Sequence, residues 1–171
     1  KFSKPGTVII LIEGEYDINE RLWIERGNSG TRGDYKTLRG EGNVVLDFSH
    51  SSYGMELWGD YWVLSNFTIR NTIDGKKGLQ IAGDHNIVEF ITAEFCGDTG
   101  IQISGSSQDP KGKWPQDNIV RYCISHDNAD FAMNNADGFA AKLTVGEGNR
   151  FLGCVSYNNA DDGWDLFSKI E

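Results

Sequence analysis

Short segments that begin with glycine recur along the chain, and apolar and polar residues alternate within each of them. Side chains of a β-strand point alternately to its two faces, so one face of each segment is predicted to be core and the other to face outward. The segments are Gly54-Met-Glu-Leu-Trp-Gly59, Gly78-Leu-Gln-Ile-Ala-Gly83, Gly100-Ile-Gln-Ile-Ser-Gly105, Gly138-Phe-Ala-Ala-Lys-Leu143 and Gly163-Trp-Asp-Leu-Phe-Ser168. The predicted inward residues are Leu79, Ile81, Ile101, Ile103, Phe139, Ala141, Trp164 and Leu166. The predicted outward residues are Gln80, Ala82, Gln102, Ser104, Ala140, Lys142, Asp165 and Phe167.

A second series of apolar segments precedes these glycines. Its members are Val63–Ile69, Ile87–Ala93, Ile119–Ser125 and Arg150–Ser156. Equivalent positions in stacked segments should form internal columns, one from the second members and one from the fifth. The second members are Leu64, Val88, Val120 and Phe151, and the fifth are Phe67, Ile91, Cys123 and Cys154.

The spacing of the repeat predicts the fold class. The leading glycines at 54, 78, 100, 138 and 163 are separated by 24, 22, 38 and 25 residues. Short strands that recur every 22–25 residues between turns indicate an all-β solenoid in which each coil pairs with the next. A β-sandwich also has regularly spaced strands, but it does not predict the similarity between 78–83 and 100–105. Earlier coils are expected at 7–13, 21–25, 35–39 and 43–48, and helices have no place in the pattern.

Composition narrows the functional classes. The chain has 39% hydrophobic and 24% charged residues, with 21 glycines and 3 prolines, which suits a folded protein with many tight turns. A net charge of −9 argues against nucleic acid as a partner and permits a cation such as calcium. No segment is long and apolar enough to span a membrane. The 3 cysteines do not form a disulfide framework, and we expect them to be buried thiols.

The two ends of the chain lead to an expectation about its extent. It opens at Lys1 without a signal peptide and stops at Glu171 directly after a strand-like segment. We therefore expect residues 1–171 to be the N-terminal portion of a single solenoid domain that is truncated on its C-terminal side. A monomer is expected.

Two insertions interrupt the repeat, at Ser104–Asp117 and at Asp127–Ala136. The second lies beside two similar turns, Asn134-Asn-Ala-Asp-Gly138 and Asn158-Asn-Ala-Asp-Asp-Gly163. Loops on a rigid scaffold often carry function. The asparagines of these turns suit a structural ladder of stacked side chains.

The same turns predict a metal site. Asp137 and Asp162 each precede a strand glycine, so they should be neighbours on adjacent coils, with Asp161 and the outward-facing Asp165 close by. Four close carboxylates repel one another unless a cation compensates them. An all-oxygen ligand set favours calcium over zinc or copper.

Other polar and aromatic residues offer weaker signals. Lys142 could contact substrate or balance the acidic cluster. His126 and Asp127 suit a structural hydrogen bond more than catalysis. Trp58 and Trp62 could stack on sugar rings or pack in the structure.

The last 35 or so residues resemble a known family. The run Asn135–Asn149 followed by Arg150–Phe167 is similar to the signature stretch of polysaccharide lyase family 9, and Lys4–Tyr16 is similar to its first coil. The resemblance implies a right-handed parallel β-helix and a secreted or cell-surface bacterial pectate lyase. It also implies calcium ligation by Asp137, Asp161, Asp162 and Asp165.

The same resemblance implies how such an enzyme acts. Polygalacturonate, the anionic polymer of pectin, is cleaved by β-elimination, with a lysine as the base that removes the proton on carbon 5. That lysine is expected beyond Glu171, because neither Lys142 nor Lys169 matches its position. The catalytic residue is therefore unknown, and this piece alone is expected to be inactive.

Three alternatives remain open from the sequence. A β-helix glycoside hydrolase of the polygalacturonase type would use paired aspartates without a metal. A non-catalytic solenoid would bind polysaccharide without turnover. A lyase or epimerase could act on another uronate such as alginate.

Overall fold

The structure, a computed structural model, describes residues 3–168. Within that range it contains fourteen β-strands and one short 3₁₀ turn at Lys111–Lys113. The strands are β1 (Val8–Asp17), β2 (Leu22–Ile24), β3 (Lys36–Asp47), β4 (Met55–Leu57), β5 (Trp62–Arg70), β6 (Leu79–Ile81), β7 (Ile87–Glu94), β8 (Ile101–Ile103), β9 (Ile119–Arg121), β10 (Ile124–His126), β11 (Phe139–Leu143), β12 (Arg150–Leu152), β13 (Val155–Tyr157) and β14 (Trp164–Ser168). In the described part of the chain, no helix has the length and apolar character needed to cross a membrane.

The strands form two parallel sheets whose inner faces share one apolar core. Sheet one has the order β1-β3-β5-β7-β10-β13, with β9 and β12 continuing from β7, and sheet two has the order β14-β11-β8-β6-β4-β2. Each coil contributes to both sheets and pairs in parallel with the coils before and after it. This arrangement confirms the predicted parallel β-solenoid.

The interior is filled by the predicted columns of apolar side chains. In sheet two, Leu79 pairs with Ile101, Ile101 with Phe139 and Phe139 with Trp164. Leu79, Ile101 and Phe139 are fully buried, whereas Trp164 in β14 is 40% exposed. In sheet one the second column stacks as predicted, as Leu64, Val88, Val120 and Phe151. Each fully buried aliphatic side chain contributes about 1.5–3 kcal/mol, so the columns are the main source of stability.

The cysteines lie within or beside this core, as expected. Cys96 and Cys123 are buried, Cys154 is partly buried, and all three are free thiols. Burial raises the pKa of the Cys96 thiol to about 12. These residues act as small apolar side chains in the solenoid.

Stacked asparagines join the coils, although mostly not those that the sequence suggested. The backbone N–H of Asn86 donates to Asn118 Oδ1 at 2.9 Å, and the N–H of Asn118 donates to Asn149 Oδ1 at 3.1 Å. Asn86 and Asn118 are fully buried, so these hydrogen bonds satisfy groups that water cannot reach.

The predicted ladder of Asn134, Asn135, Asn158 and Asn159 is wrong for most of its members. Asn159 does accept a hydrogen bond, at 2.8 Å, but from Asn128. Two residues after Asn159, the N–H of Asp161 donates to the carbonyl of Ala136. The later coil therefore spans in two residues the distance that residues 128–136 span in the earlier coil. Asn134 and Asn135 therefore belong to an insertion that has no counterpart in that coil.

The outward face of sheet two is more covered than predicted. Gln102 and Ser104 are 3% and 4% exposed, and Ala140 is fully buried. Both insertions have residues on this side of the solenoid. Asp109 of the first insertion forms an ion pair with Arg26 of the first coils. Residues of the second insertion line the same cleft as Gln102.

Candidate metal centre

Three aspartates meet where β11 and β14 begin. Each of Asp137, Asp161 and Asp162 places a carboxylate oxygen within 4.8 Å of the others. The stacking of the two coils produces this cluster, since the N–H of Gly138 donates to the carbonyl of Asp162 at 2.9 Å. The N–H of Asp162 in turn donates to Asp137 Oδ1 at 3.3 Å. Asp137 and Asp162 are thus neighbours on adjacent coils.

The close approach of the coils requires glycine after Asp137. A Cβ atom at Gly138 would lie 1.9 Å from the hydroxyl oxygen of Ser156 and 2.9 Å from the carbonyl oxygen of Gly163. Gly138 therefore allows Asp137 to sit directly beneath the turn that carries Asp161 and Asp162.

Asp137 has a fully buried side chain with a defined set of partners. Its Oδ2 atom accepts a hydrogen bond from Thr99 Oγ1 at 2.9 Å and from Lys142 Nζ at 2.6 Å. Asp161 and Asp162 are exposed. The cluster thus combines one carboxylate held rigidly inside the wall with two that face solvent.

Asp165 lies next to the cluster rather than inside it. Asp165 pairs in register with Ala140, and its Oδ2 accepts a hydrogen bond from Lys142 Nζ at 2.9 Å. Lys142 therefore bridges Asp137 and Asp165. Burial alone would lower the pKa of Lys142, but the hydrogen bonds to Asp137 and Asp165 outweigh it and raise that pKa above its usual value.

The electrostatics of the site favour a cation. Loss of hydration, followed by repulsion from Asp137 and Asp162, raises the pKa of Asp161. Four carboxylates and the single ammonium of Lys142 leave a local formal charge of about −3, which a divalent ion would reduce. The donors are all oxygens, and two of the carboxylates are on exposed turns. This set fits calcium, which accepts six to eight oxygens in flexible geometry.

A cleft of about 400 Å³ opens beside the cluster along the outer face of sheet two. Polar and charged side chains from several coils form most of its wall: Lys77, Asp98, Gln102, Asp130, Asn135, Lys142 and Asp165. An extended polar molecule lying in this cleft would contact Asp165 and Lys142 at one end.

Sequence reasoning missed three of these wall residues. Asp130 accepts hydrogen bonds from the backbone N–H groups of Asn134 and Asn135 at 2.9 and 3.1 Å, and these bonds lower its pKa. Asp98 pairs with Lys77 at 2.9 Å. The sequence did carry signals for two of them, because Asp98 lies two residues before a strand glycine and Asp130 lies in the second insertion.

The other candidate residues lie away from the cluster. His126 Nδ1 is 2.6 Å from Asp127 and its Nε2 is 3.3 Å from Glu94, while the imidazole stacks on Tyr157 in sheet one. Trp62 is buried, and its indole N–H donates to the carbonyl of Asn28 at 2.6 Å. These contacts are structural.

Trp58 lies on the outer side of sheet two, partly exposed. The guanidinium of Arg26 lies 4.6 Å from its ring centroid, and its indole N–H donates to Glu56 at 2.8 Å. Lys169 falls outside the described residues 3–168.

The fold and the site together define the class of protein: a parallel β-helix that carries an acidic cluster at the edge of a polar cleft. The family model for the Pel9A-like right-handed β-helix region matches residues 1–171. The chain is a member of the Pel9A-like right-handed β-helix family.

Relatives of this chain are named pectate lyases. Pectate lyase L of Thermoclostridium stercorarium is 44% identical in an alignment covering 98% of this chain and 14% of that protein. Pectate lyase L of Paenibacillus polymyxa (strain SC2) is 40% identical, covering 98% of this chain and 39% of that protein. The crystal structure of pectate lyase Pel9A superposes with a TM-score of 0.84 and 29% identity over 98% of this chain and 43% of that one. This chain therefore spans less than half the length of each of these relatives.

Proposed function

We propose that residues 1–171 form the N-terminal portion of the catalytic domain of a calcium-dependent pectate lyase. The observation that carries the proposal is the cluster of Asp137, Asp161 and Asp162 beside a polar cleft in a chain 44% identical to a pectate lyase. The substrate is polygalacturonate, an anionic polymer long enough to lie along several coils. The protein acts as a monomer that is secreted or held at the bacterial cell surface.

Asp137, Asp161 and Asp162 would hold the calcium ion, and Asp165, which Lys142 joins to Asp137, would complete the site as a fourth ligand. When bound there, calcium would supply positive charge that stabilises a uronate carboxylate and makes the proton on carbon 5 more acidic. Asp137 anchors the site because Thr99 and the wall of the solenoid fix its carboxylate. Asp161 and Asp162 are free to adjust to the ion because both side chains are exposed.

Lys142 is not suited to remove the proton on carbon 5. A lysine acts as a base only when it is neutral and free, and the Lys142 nitrogen is engaged in ion pairs with Asp137 and Asp165 at 2.6 and 2.9 Å. Its ammonium can instead pair with a substrate carboxylate at the end of the cleft. We place the base outside residues 1–171, on coils that would extend the same face of sheet two.

The reaction leaves a conjugated double bond between carbons 4 and 5, which absorbs ultraviolet light. The test uses the natural protein that contains residues 1–171, incubated with polygalacturonate in calcium and then in excess chelator. Absorbance that grows with calcium and stops with chelator supports the proposal. Reducing ends that form equally in chelator, without absorbance, would point to a hydrolase. Binding without either product would point to a non-catalytic solenoid, and turnover of alginate alone to another uronate.

A further inference from the structure

A second space lies beside the cleft at the aspartate cluster, toward the N-terminal coils. This compartment has a volume of about 140 Å³, and Gly75 and Lys77 line both spaces. Its wall includes Tyr53, Lys76, Gln80 and Glu56, the last two on the outer face of β6 and β4. A linear ligand in the first space can therefore extend into the second.

Lys76 and Tyr53 face each other in this second compartment. The Lys76 ammonium nitrogen lies 4.3 Å from the centroid of the Tyr53 ring, which is the geometry of a cation–π contact. The turn that carries Lys76 is anchored, since Thr72 Oγ1 donates to the Lys76 carbonyl at 2.6 Å and the Gly75 N–H donates to the Gly97 carbonyl at 2.6 Å. The backbone at Lys76 is thus fixed, and the contact with the Tyr53 ring positions its ammonium.

The charge of Lys76 is not neutralised by a carboxylate. Lys77 pairs with Asp98 at 2.9 Å, and Lys142 pairs with both Asp137 and Asp165. Among the lysines that line these two spaces in residues 3–168, only Lys76 has no carboxylate oxygen within 4.0 Å. The Lys76 ammonium contacts an aromatic ring and no carboxylate, so it is available to pair with an anionic ligand.

We propose that Lys76 and Tyr53 form a distal subsite that binds the carboxylate of a uronate unit in the same polymer chain that reaches the aspartate cluster. Lys76 pairs with the carboxylate, and Tyr53 positions the ammonium. This proposal rests on the proposed function. The strands of sheet two place the subsite three to four strand spacings from Asp165, or about 14–19 Å. Short oligomers held at the cluster would not reach it, whereas long ones would.

The test compares substrates of two lengths in the natural protein that contains residues 1–171. With calcium present, Lys76→Met should raise the KM for polygalacturonate about two- to five-fold, the range of one partly exposed ion pair, and leave kcat unchanged. The KM for trigalacturonate should stay the same. Lys111→Met, which removes an exposed lysine of the first insertion, is the matched control and should change neither KM.

Two tyrosine variants separate positioning from general stability. Tyr53→Leu should raise the KM for polygalacturonate as Lys76→Met does. Tyr53→Phe, which keeps the ring, should have the KM of the wild type. An unchanged KM for polygalacturonate in Lys76→Met, or an equal rise for both substrates, overturns the subsite while leaving the lyase proposal intact. If the wild-type protein does not cleave polygalacturonate at all, the lyase proposal fails and the subsite with it.

Discussion

The ammonium of Lys142 donates a hydrogen bond of 2.6 Å to the carboxylate of Asp137, a side chain with no solvent exposure. The same ammonium reaches Asp165 on the next coil. One lysine thus ties together two coils and neutralises part of the acidic cluster. This relationship makes the stability of the fold depend on the charge balance of the candidate metal centre.

The first prediction follows from that ion pair. Lys142→Met should lower the free energy of unfolding by about 1–3 kcal/mol, because a buried acceptor loses a charged donor. Calcium should restore more stability to the variant than to the wild type, since the ion supplies the missing positive charge. Urea unfolding with and without calcium measures both effects. Equal stability of the two proteins in the absence of calcium would contradict the prediction.

The second prediction concerns the affinity for calcium. Asp161→Asn should weaken calcium binding about ten-fold or more, because one charged ligand is lost from an all-oxygen site. The fold should be unaffected, since Asp161 is exposed. Isothermal titration with calcium measures the affinity. Glu147→Gln, which removes an exposed carboxylate outside the cluster, should bind calcium like the wild type.

The third prediction is a pH dependence away from the metal centre. Burial would raise the pKa of Asp47, but hydrogen bonds from the Ser49 N–H at 2.7 Å, from Arg70 at 2.7 Å and from Asn71 at 3.0 Å lower it overall. A carboxyl whose pKa is depressed in the folded state adds stability above its unfolded pKa, about 3.9, and loses it as the pH falls further. Asp47→Asn should therefore destabilise the fold by about 1–3 kcal/mol at pH 7.

The same variant should differ little from the wild type once the pH lies below the depressed pKa. Urea unfolding across the acid range measures the difference. Asp17 pairs in register with Asp47 on the neighbouring coil, so Asp17→Asn is the control for loss of a charge at the same position. A difference between Asp47→Asn and wild type that persists at the acid limit would argue against an electrostatic origin.

The fourth prediction concerns thiol reactivity. Cys96 is 1% exposed and its pKa is raised to about 12, so the reactive thiolate is scarce at neutral pH. A thiol reagent should modify Cys96 only at the rate of unfolding, and more slowly than the partly buried Cys154. Mass spectrometry of peptides after timed labelling distinguishes the two. Labelling of Cys96 as fast as Cys154 in the folded protein would refute the buried placement.

Much of the fold could be predicted because, in a solenoid, residues separated by one repeat of the sequence lie next to each other on adjacent coils. The column of Leu64, Val88, Val120 and Phe151 follows from the repeat alone, since equal positions in adjacent coils must stack. The neighbourhood of Asp137 and Asp162 follows in the same way, because each precedes a strand glycine.

The predictions that were wrong concern contacts that do not follow from the repeat. Within residues 3–168, Asn134 and Asn135 have no hydrogen-bond partner in the next coil, because an insertion moves them out of register. Gln102 is only 3% exposed, and Asp130 and Asn135 of the second insertion line the cleft beside it. Lys142 is different, because its pairing with the acidic cluster was one of the two interpretations that the sequence left open, and its ion pairs with Asp137 and Asp165 agree with it.

The way in which Gly138 lies under Asp162 has a consequence for how such proteins change over evolution. Two similar turns on successive coils, at 134–138 and 158–163, form the acidic cluster. Whole coils can therefore be gained or lost elsewhere along the axis without altering it. A single residue inserted within β11, between Phe139 and Lys142, would instead turn Lys142 to the opposite face of the strand and away from Asp137 and Asp165.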